Sequence, residues 1–262
     1  MEAIYDAGAS LDVAITLSDE RAKTKSGRVY LDRFCIDNGV DLIKVASIND
    51  PATIAAIARY DLDYLFIIGW SQIAKAEILA LPRLAAIGMH PTLLPEGRGR
   101  AAIPWAILKR LERTGVTMFQ LDSGVDTGPI IAQGTIPLTD TTTATELYRL
   151  VDQAHVHLMR QTIPKLEAGT VSPLKQDEAG ATVWEGRKPE DGEIDRDGSV
   201  HDAECLVRAV THPYPGAFIV RDDHKLIIWA ARIVEQPGEN PAIRFADGWL
   251  ELLEVEERPL TG

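Results

Sequence analysis

The sequence predicts an α/β fold: a doubly wound, Rossmann-like domain followed by a small β-rich domain at the C-terminal end. Three observations predict it. Short apolar runs of strand length alternate with helical segments through the first half. One of these runs, Asp63-Tyr-Leu-Phe-Ile-Ile-Gly69, is apolar almost throughout, as a strand covered on both faces is. After residue 198 the pattern turns into alternating strands separated by polar turns.

Each element has its own reason. Val13-Ala-Ile-Thr-Leu17 and Leu42-Ile-Lys-Val45 read as buried strands, with a helical stretch over residues 29–38 between them. Asp50 is a cap and Pro51 a first helical residue, so a helix opens there and ends near Tyr60. Parallel pairing of the strands follows from this alternation. Residues 84–89 form another strand that runs directly into His90-Pro91. Pro104 starts a helix that Thr114-Gly115 closes. Residues 116–121 then make a strand leading into the loop Asp122-Ser-Gly-Val-Asp-Thr-Gly128. From 144 to 168 the positions Leu147, Val151, Ala154 and Leu158 share a helical face, and Gly169 is the expected stop. Residues 173–198 are rich in charge, glycine and proline, which suits a linker over the surface. Ser199 caps a short helix, and strands follow at 217–220, 225–230, 242–245 and 249–255, with a turn at Asp247-Gly248. The expected division is therefore 1–170, a linker over 171–198, and 199–262.

Composition narrows the function. The chain has 262 residues, of which 45% are hydrophobic, and no apolar run long enough to cross a bilayer. Residues 1–10 lack the basic and then apolar pattern of a secretory signal, so a cytoplasmic location is expected. The net charge of −12 opposes extended contact with a nucleic-acid backbone, although a few local arginines can still hold a small anion. Cys35 and Cys205 have no paired ligand spacing, and His155 and His157 point to different helical faces, so no metal site is expected. Trp70 and Trp105 can stack on a flat ring or simply fill core.

His90 sits at the carboxyl end of one strand and Asp126 just beyond another, the edge at which open α/β sheets bind ligands. An imidazole there can exchange protons with an amine while a carboxylate orients it, which suits acyl transfer. Spacing alone leaves open the alternative that His90 bonds to backbone and Asp126 is a turn residue. The loop Pro91-Thr-Leu-Leu-Pro-Glu-Gly-Arg-Gly-Arg100 holds arginines beside rigid turns and reads equally as an anion pocket or a solvated connection.

The stretch Gly88-Met-His-Pro-Thr-Leu-Leu-Pro-Glu-Gly-Arg-Gly-Arg100, followed by Gly115-Val-Thr and Gly124-Val-Asp-Thr-Gly128, resembles the N10-formyltetrahydrofolate-dependent formyltransferases. The likeness continues through Ile130-Ile-Ala-Gln133 and returns at Leu206-Val-Arg-Ala-Val210 and Pro213-Tyr-Pro-Gly-Ala-Phe218. It is strongest with the sugar-nucleotide N-formyltransferases, relatives of methionyl-tRNA formyltransferase.

The resemblance implies a catalytic pair, His90 and Asp126. It implies a folate site lined by Gln72, Ile73 and Ala74, by Thr92, Leu93, Leu94 and Pro95, and by Asp122, Ser123, Gly124 and Val125. Arg98 and Arg100 are implied to contact the second substrate. The donor is then N10-formyltetrahydrofolate, no metal is required, and the acceptor is the amine of a nucleotide-linked amino sugar. Initiator methionyl-tRNA is the alternative acceptor, and a folate or nucleotide-sugar binder without turnover is the rival outside the enzymes. A homodimer remains open.

The sequence departs from the family in two ways. Gly88 stands where the family has asparagine, so a side-chain donor to the formyl oxygen is missing and Gly88→Asn is expected to raise turnover. Residues 1–10 read as the end of a helix, so the family's first strand is expected to be missing and the natural chain to begin upstream.

Overall fold

The computed structural model describes residues 1–22, 29–70, 72–221 and 224–259. They form two compact units. The first contains residues 1–98, 115–135 and 153–182; the second contains 99–114, 136–152 and 183–262.

The first unit opens with α1 (Glu2–Asp6), so residues 2–6 are helical. Strand β1 (Val13–Leu17) is followed by α2 (Asp19–Ala22) and α3 (Asp32–Asn38), and β1 pairs in parallel with β2 (Asp41–Val45). Helix α4 (Pro51–Ile57) follows with Pro51 in its first turn, as its sequence predicts. Strand β3 (Tyr64–Ile67) comes next, then α5 (Ala76–Leu79), β4 (Ala85–His90) and the short β5 (Arg98–Gly99). The apolar side chains behind β3 converge on one cluster, with Ile48, Ile57, Leu65 and Ile78 buried and Ile15 and Trp70 packed against it.

Helix α6 (Ala102–Leu108) precedes β6 (Arg113–Gln120) and β7 (Ile130–Pro137), which complete a four-stranded sheet of order β3-β4-β6-β7. Strands β3 and β4 are parallel, but β4 and β6 are antiparallel, pairing Gly88 with Phe119 and His90 with Thr117. The expectation of parallel pairing is therefore corrected at β6. Burial on both faces leaves apolar runs in parallel and antiparallel strands alike, so periodicity does not distinguish them. The antiparallel step sets the end of β4 opposite the start of β6 within one sheet. Helix α7 (Ala144–Glu167) closes the series, and Gly169 follows it at φ 63°, the left-handed conformation that favours glycine.

The segment expected to be a plain linker has more structure than its composition suggests. It contains β8 (Val183–Trp184), and Gln176, Trp184 and Ile194 are all buried. In the second unit α8 (Val200–Val210) buries Val200, Ala203, Val207 and Ala209. The antiparallel sheet there has the order β11-β12-β10-β9, with β9 Ala217–Arg221, β10 His224–Val234, β11 Ala242–Phe245 and β12 Gly248–Pro259. Its strands run longer than the sequence predicts, because polar positions such as Glu254, Glu256 and Glu257 stay in the ladder with β10.

Candidate active site

Strand β4 delivers His90 to its carboxyl end with the side chain almost fully buried. The ring is held by one bond: Nε2 lies 2.8 Å from the carbonyl oxygen of Gly97. A carbonyl only accepts, so Nε2 carries the proton and donates it. Nδ1 is then the basic nitrogen of the neutral ring, and it lies 3.7 Å from Oδ2 of Asp126. That separation is beyond an ordinary hydrogen bond and becomes an ion pair when Nδ1 is protonated.

Asp126 owes its position to the loop after β6. Asp122 starts an Asx turn, its Oδ1 accepting from the Gly124 N–H at 2.9 Å and from the Thr127 hydroxyl at 2.7 Å. Asp126 itself has φ 55°, and a Cβ built on Gly128 would lie 1.8 Å from the Gln120 carbonyl oxygen. Only glycine lets the chain turn back so closely on β6. His90 and Asp126 are brought together, but not by strand ends leaving one edge, as expected from the sequence: β6 runs antiparallel to β4, and the loop after β6 carries Asp126 back to the imidazole.

The segment 92–95 is fixed by its backbone. The Thr117 hydroxyl donates to the Thr92 carbonyl at 2.7 Å and accepts from the Leu94 N–H at 3.0 Å, while Gln133 Nε2 donates to the Leu94 carbonyl at 2.8 Å. Thr92 and Leu94 are buried, and the Thr92 hydroxyl has no hydrogen-bond partner among the described residues. Leu93 and Pro95 are partly exposed. Gln72 bridges the backbone of residues 46–48, accepting from Ile48 N–H at 2.9 Å and donating to the Ala46 carbonyl at 3.2 Å. Beside it, Ile73 is 80% exposed, and Val125 in the Asp126 loop is 57% exposed, so both loops present apolar surface. Ser123 and Gly124 are exposed and Ala74 half-buried.

Two sequence expectations change. Arg98 was expected on the substrate, but it is buried and its guanidinium is engaged within the protein. Nε and Nη2 donate to Gln176 Oε1 at 3.1 and 2.8 Å, and Nη1 and Nη2 to Glu178 at 2.9 and 2.8 Å. Arg100, by contrast, is exposed. At Gly88, a Cβ would lie 2.8 Å from Leu121 Cδ2, so Leu121 already occupies the space an asparagine side chain would enter. The two tryptophans have structural employment: Trp70 packs on the β3 cluster, and Trp105 donates to the Glu185 carbonyl at 2.8 Å.

Sequence reasoning missed Gln176 and Glu178, which lie in the presumed linker. The buried bond donor Gln176 is a single polar residue in a polar stretch, and no local signal distinguishes it from its neighbours.

An imidazole anchored through one nitrogen, with the other beside a carboxylate at the carboxyl end of a Rossmann-like strand, is the arrangement of an α/β group-transfer enzyme using general acid–base chemistry. The family model for formyl transferase matches residues 18–163, and that for the formyl transferase C-terminal domain matches residues 187–259. The chain belongs to the formyl transferase family, and its chemistry is formyl transfer.

Among solved structures, methionyl-tRNA formyltransferase from Clostridium thermocellum is similar at 23% identity and a TM-score of 0.65, over 95% of this chain and 100% of that one. The N-formyltransferase from Helicobacter canadensis, in complex with folinic acid and dTDP-3-aminofucose, is 17% identical with a TM-score of 0.63, over 94% of this chain and 100% of that one. HypX from Aquifex aeolicus in complex with tetrahydrofolic acid is 18% identical with a TM-score of 0.67, over 94% of this chain and 45% of that longer one. At these identities the likeness is one of fold.

Proposed function

We propose that this enzyme transfers the formyl group of N10-formyltetrahydrofolate to the amine of a nucleotide-linked amino sugar. The observation that carries the reading is the His90–Asp126 pair, with Nε2 anchored on Gly97 and Nδ1 left as the base. The uncharged amine attacks the formyl carbon, and Nδ1 accepts its proton. Asp126, 3.7 Å away, stabilises the imidazolium that forms. The tetrahedral intermediate collapses with cleavage of the bond to N10, and the proton passes from His90 to that nitrogen, so the pair returns to its starting state.

The loops described above suit a folate. Exposed Ile73 and Val125 offer apolar contact to its rings, and the Thr92 hydroxyl, without a hydrogen-bond partner among the described residues, is a polar group able to bond to it. Two similar enzymes are described with folate-type ligands and a nucleotide or nucleotide sugar, the Helicobacter canadensis enzyme above and the sugar 3N-formyl transferase WlaRD. The exposed Arg100 suits a substrate phosphate. The second acceptor to be weighed is initiator methionyl-tRNA, favoured by the match to the whole length of the Clostridium enzyme. A charge of −12 opposes it.

The deciding experiment is incubation with N10-formyltetrahydrofolate and a panel of nucleotide amino sugars, with initiator methionyl-tRNA in parallel, read by mass for a gain of one formyl group. A formylated amino sugar is expected. Formylation of the tRNA alone would reverse the choice of acceptor, and no formylation of anything would favour the binding protein.

A further inference from the structure

Segment 174–182 has an unexpected relation to both halves of the catalytic pair. Leu174 is bonded reciprocally to Ile130, N–H to carbonyl at 2.7 and 2.8 Å, which seats the segment beside the Asp126 loop. From there Gln176 reaches in, 4% exposed, and Nε2 donates to the carbonyls of Asp126 at 2.8 Å and Gly128 at 2.7 Å. Its Oε1 accepts two bonds from Arg98, whose remaining donors hold both carboxylate oxygens of Glu178. Two donor hydrogens and two acceptor sites are thus all used, and the amide has one orientation only. The same segment holds the other side of the imidazole. The Thr182 hydroxyl accepts from the Gly97 N–H at 2.8 Å, and its carbonyl from the Arg98 N–H at 3.0 Å, while the Gly97 carbonyl is the partner of His90.

We propose that Gln176 is a positioning residue for formyl transfer: oriented by Arg98, it fixes the left-handed turn at Asp126 and so sets the carboxylate at its distance from His90 Nδ1. The inference rests on the formyl-transfer reading of the His90–Asp126 pair. It differs from a general packing role because Gln176 touches the backbone of the catalytic loop at two carbonyls rather than filling space. Aspartate tolerates the left-handed conformation better than most residues, and Gln176 bonds the carbonyl of that same residue, which fixes the peptide that follows it.

The test is Gln176→Glu, which keeps the volume and the contact with Arg98 but turns an oxygen toward the two carbonyls in place of the NH2 donor. A displacement of about 1 Å at the pair lowers kcat about 100-fold while KM for the folate donor stays within about threefold. Gln176→Met, which removes the donors without adding charge, serves if the first variant does not fold, and the same split is expected. Unchanged kcat in a folded variant, or a lowered melting temperature with kcat intact, would overturn the proposal. A second readout needs no turnover: the ring 15N resonances of His90 in the full chain report its tautomer and the carboxylate beside it. If the wild type formylates nothing, the functional reading has failed, and these resonances alone decide the positioning role. Signals displaced in Gln176→Glu support it; signals identical to wild type overturn it.

Discussion

At the scale of single residues, His90 and Gly88 occupy the same strand and carry opposite expectations. On the proposed mechanism, removing the imidazole removes the proton acceptor but no described contact with the loops proposed to hold the folate. His90→Ala is therefore expected to lower kcat at least about 100-fold while changing the dissociation constant for the folate little, because general-base catalysis acts in the transition state. Turnover and equilibrium titration on the same preparation check it.

Gly88→Asn, by contrast, has to contend with Leu121. Its Cδ2 and Cγ would lie 2.8 and 3.2 Å from the new Cβ, and Phe119 Cε1 3.2 Å away. The single substitution is expected to cost about 1 to 3 kcal/mol of stability as an overpacked core position. If, on the proposed mechanism, Leu121→Ala makes room for the asparagine to donate to the formyl oxygen, a gain of up to about 100-fold in kcat is expected over Leu121→Ala alone. Leu121, which fills the space beside Gly88, is not legible from the sequence around position 88. Denaturation and turnover of the single and double variants separate the two effects.

At the scale of elements, the clamp on the Asp126 loop and the cap of α8 each depend on one polar residue. The Glu178 carboxyl is held below its usual range, first by the hydrogen bond from Arg98 and further by the charges of Arg98 and Lys175. A depressed folded-state value means that its contribution is present above the unfolded value and lost as pH falls through the folded one. The Arg98 clamp is therefore expected to loosen in acid, as pH falls below the ordinary carboxylate range, and Glu178→Gln to remove that acid sensitivity. Hydrogen exchange of loop 122–128 against pH checks it. The effect is expected to be modest, since the carboxylate is 63% exposed.

In α8 the Ser199 hydroxyl accepts from the His201 N–H at 3.1 Å and donates to Asp247 at 2.9 Å, while Asp247 also accepts from the Val200 N–H at 2.9 Å. Ser199→Ala is expected to destabilise the second unit by about 1 kcal/mol, measured by denaturant unfolding. The cap was legible from the sequence because it is local. Its tie to Asp247 was not, since that partner comes from the turn between two strands.

At the scale of the whole molecule, charge governs the acceptor. With 39 acidic against 27 basic residues, the chain is expected to bind initiator tRNA no better than weakly at physiological salt. Micromolar binding that falls steeply with added salt, in a filter or fluorescence assay, would count against the amino-sugar reading.

The sequence by itself determined the α/β class, the placement of His90 at the end of β4 and of Asp126 in the loop after β6, the helix with its Gly169 stop, and the family, because these rest on periodicity, caps and contiguous motifs. Tertiary structure decided the antiparallel turn of β6, the occupation of the Gly88 space by Leu121, and the withdrawal of Arg98 from solvent. The physical reason is separation along the chain. Arg98 and Gln176 lie 78 positions apart, and the pattern around either one is that of an exposed polar loop. Only the folded backbone brings a guanidinium, an amide and two carbonyls within bonding distance, and there their burial is tolerated because each side-chain nitrogen finds an acceptor.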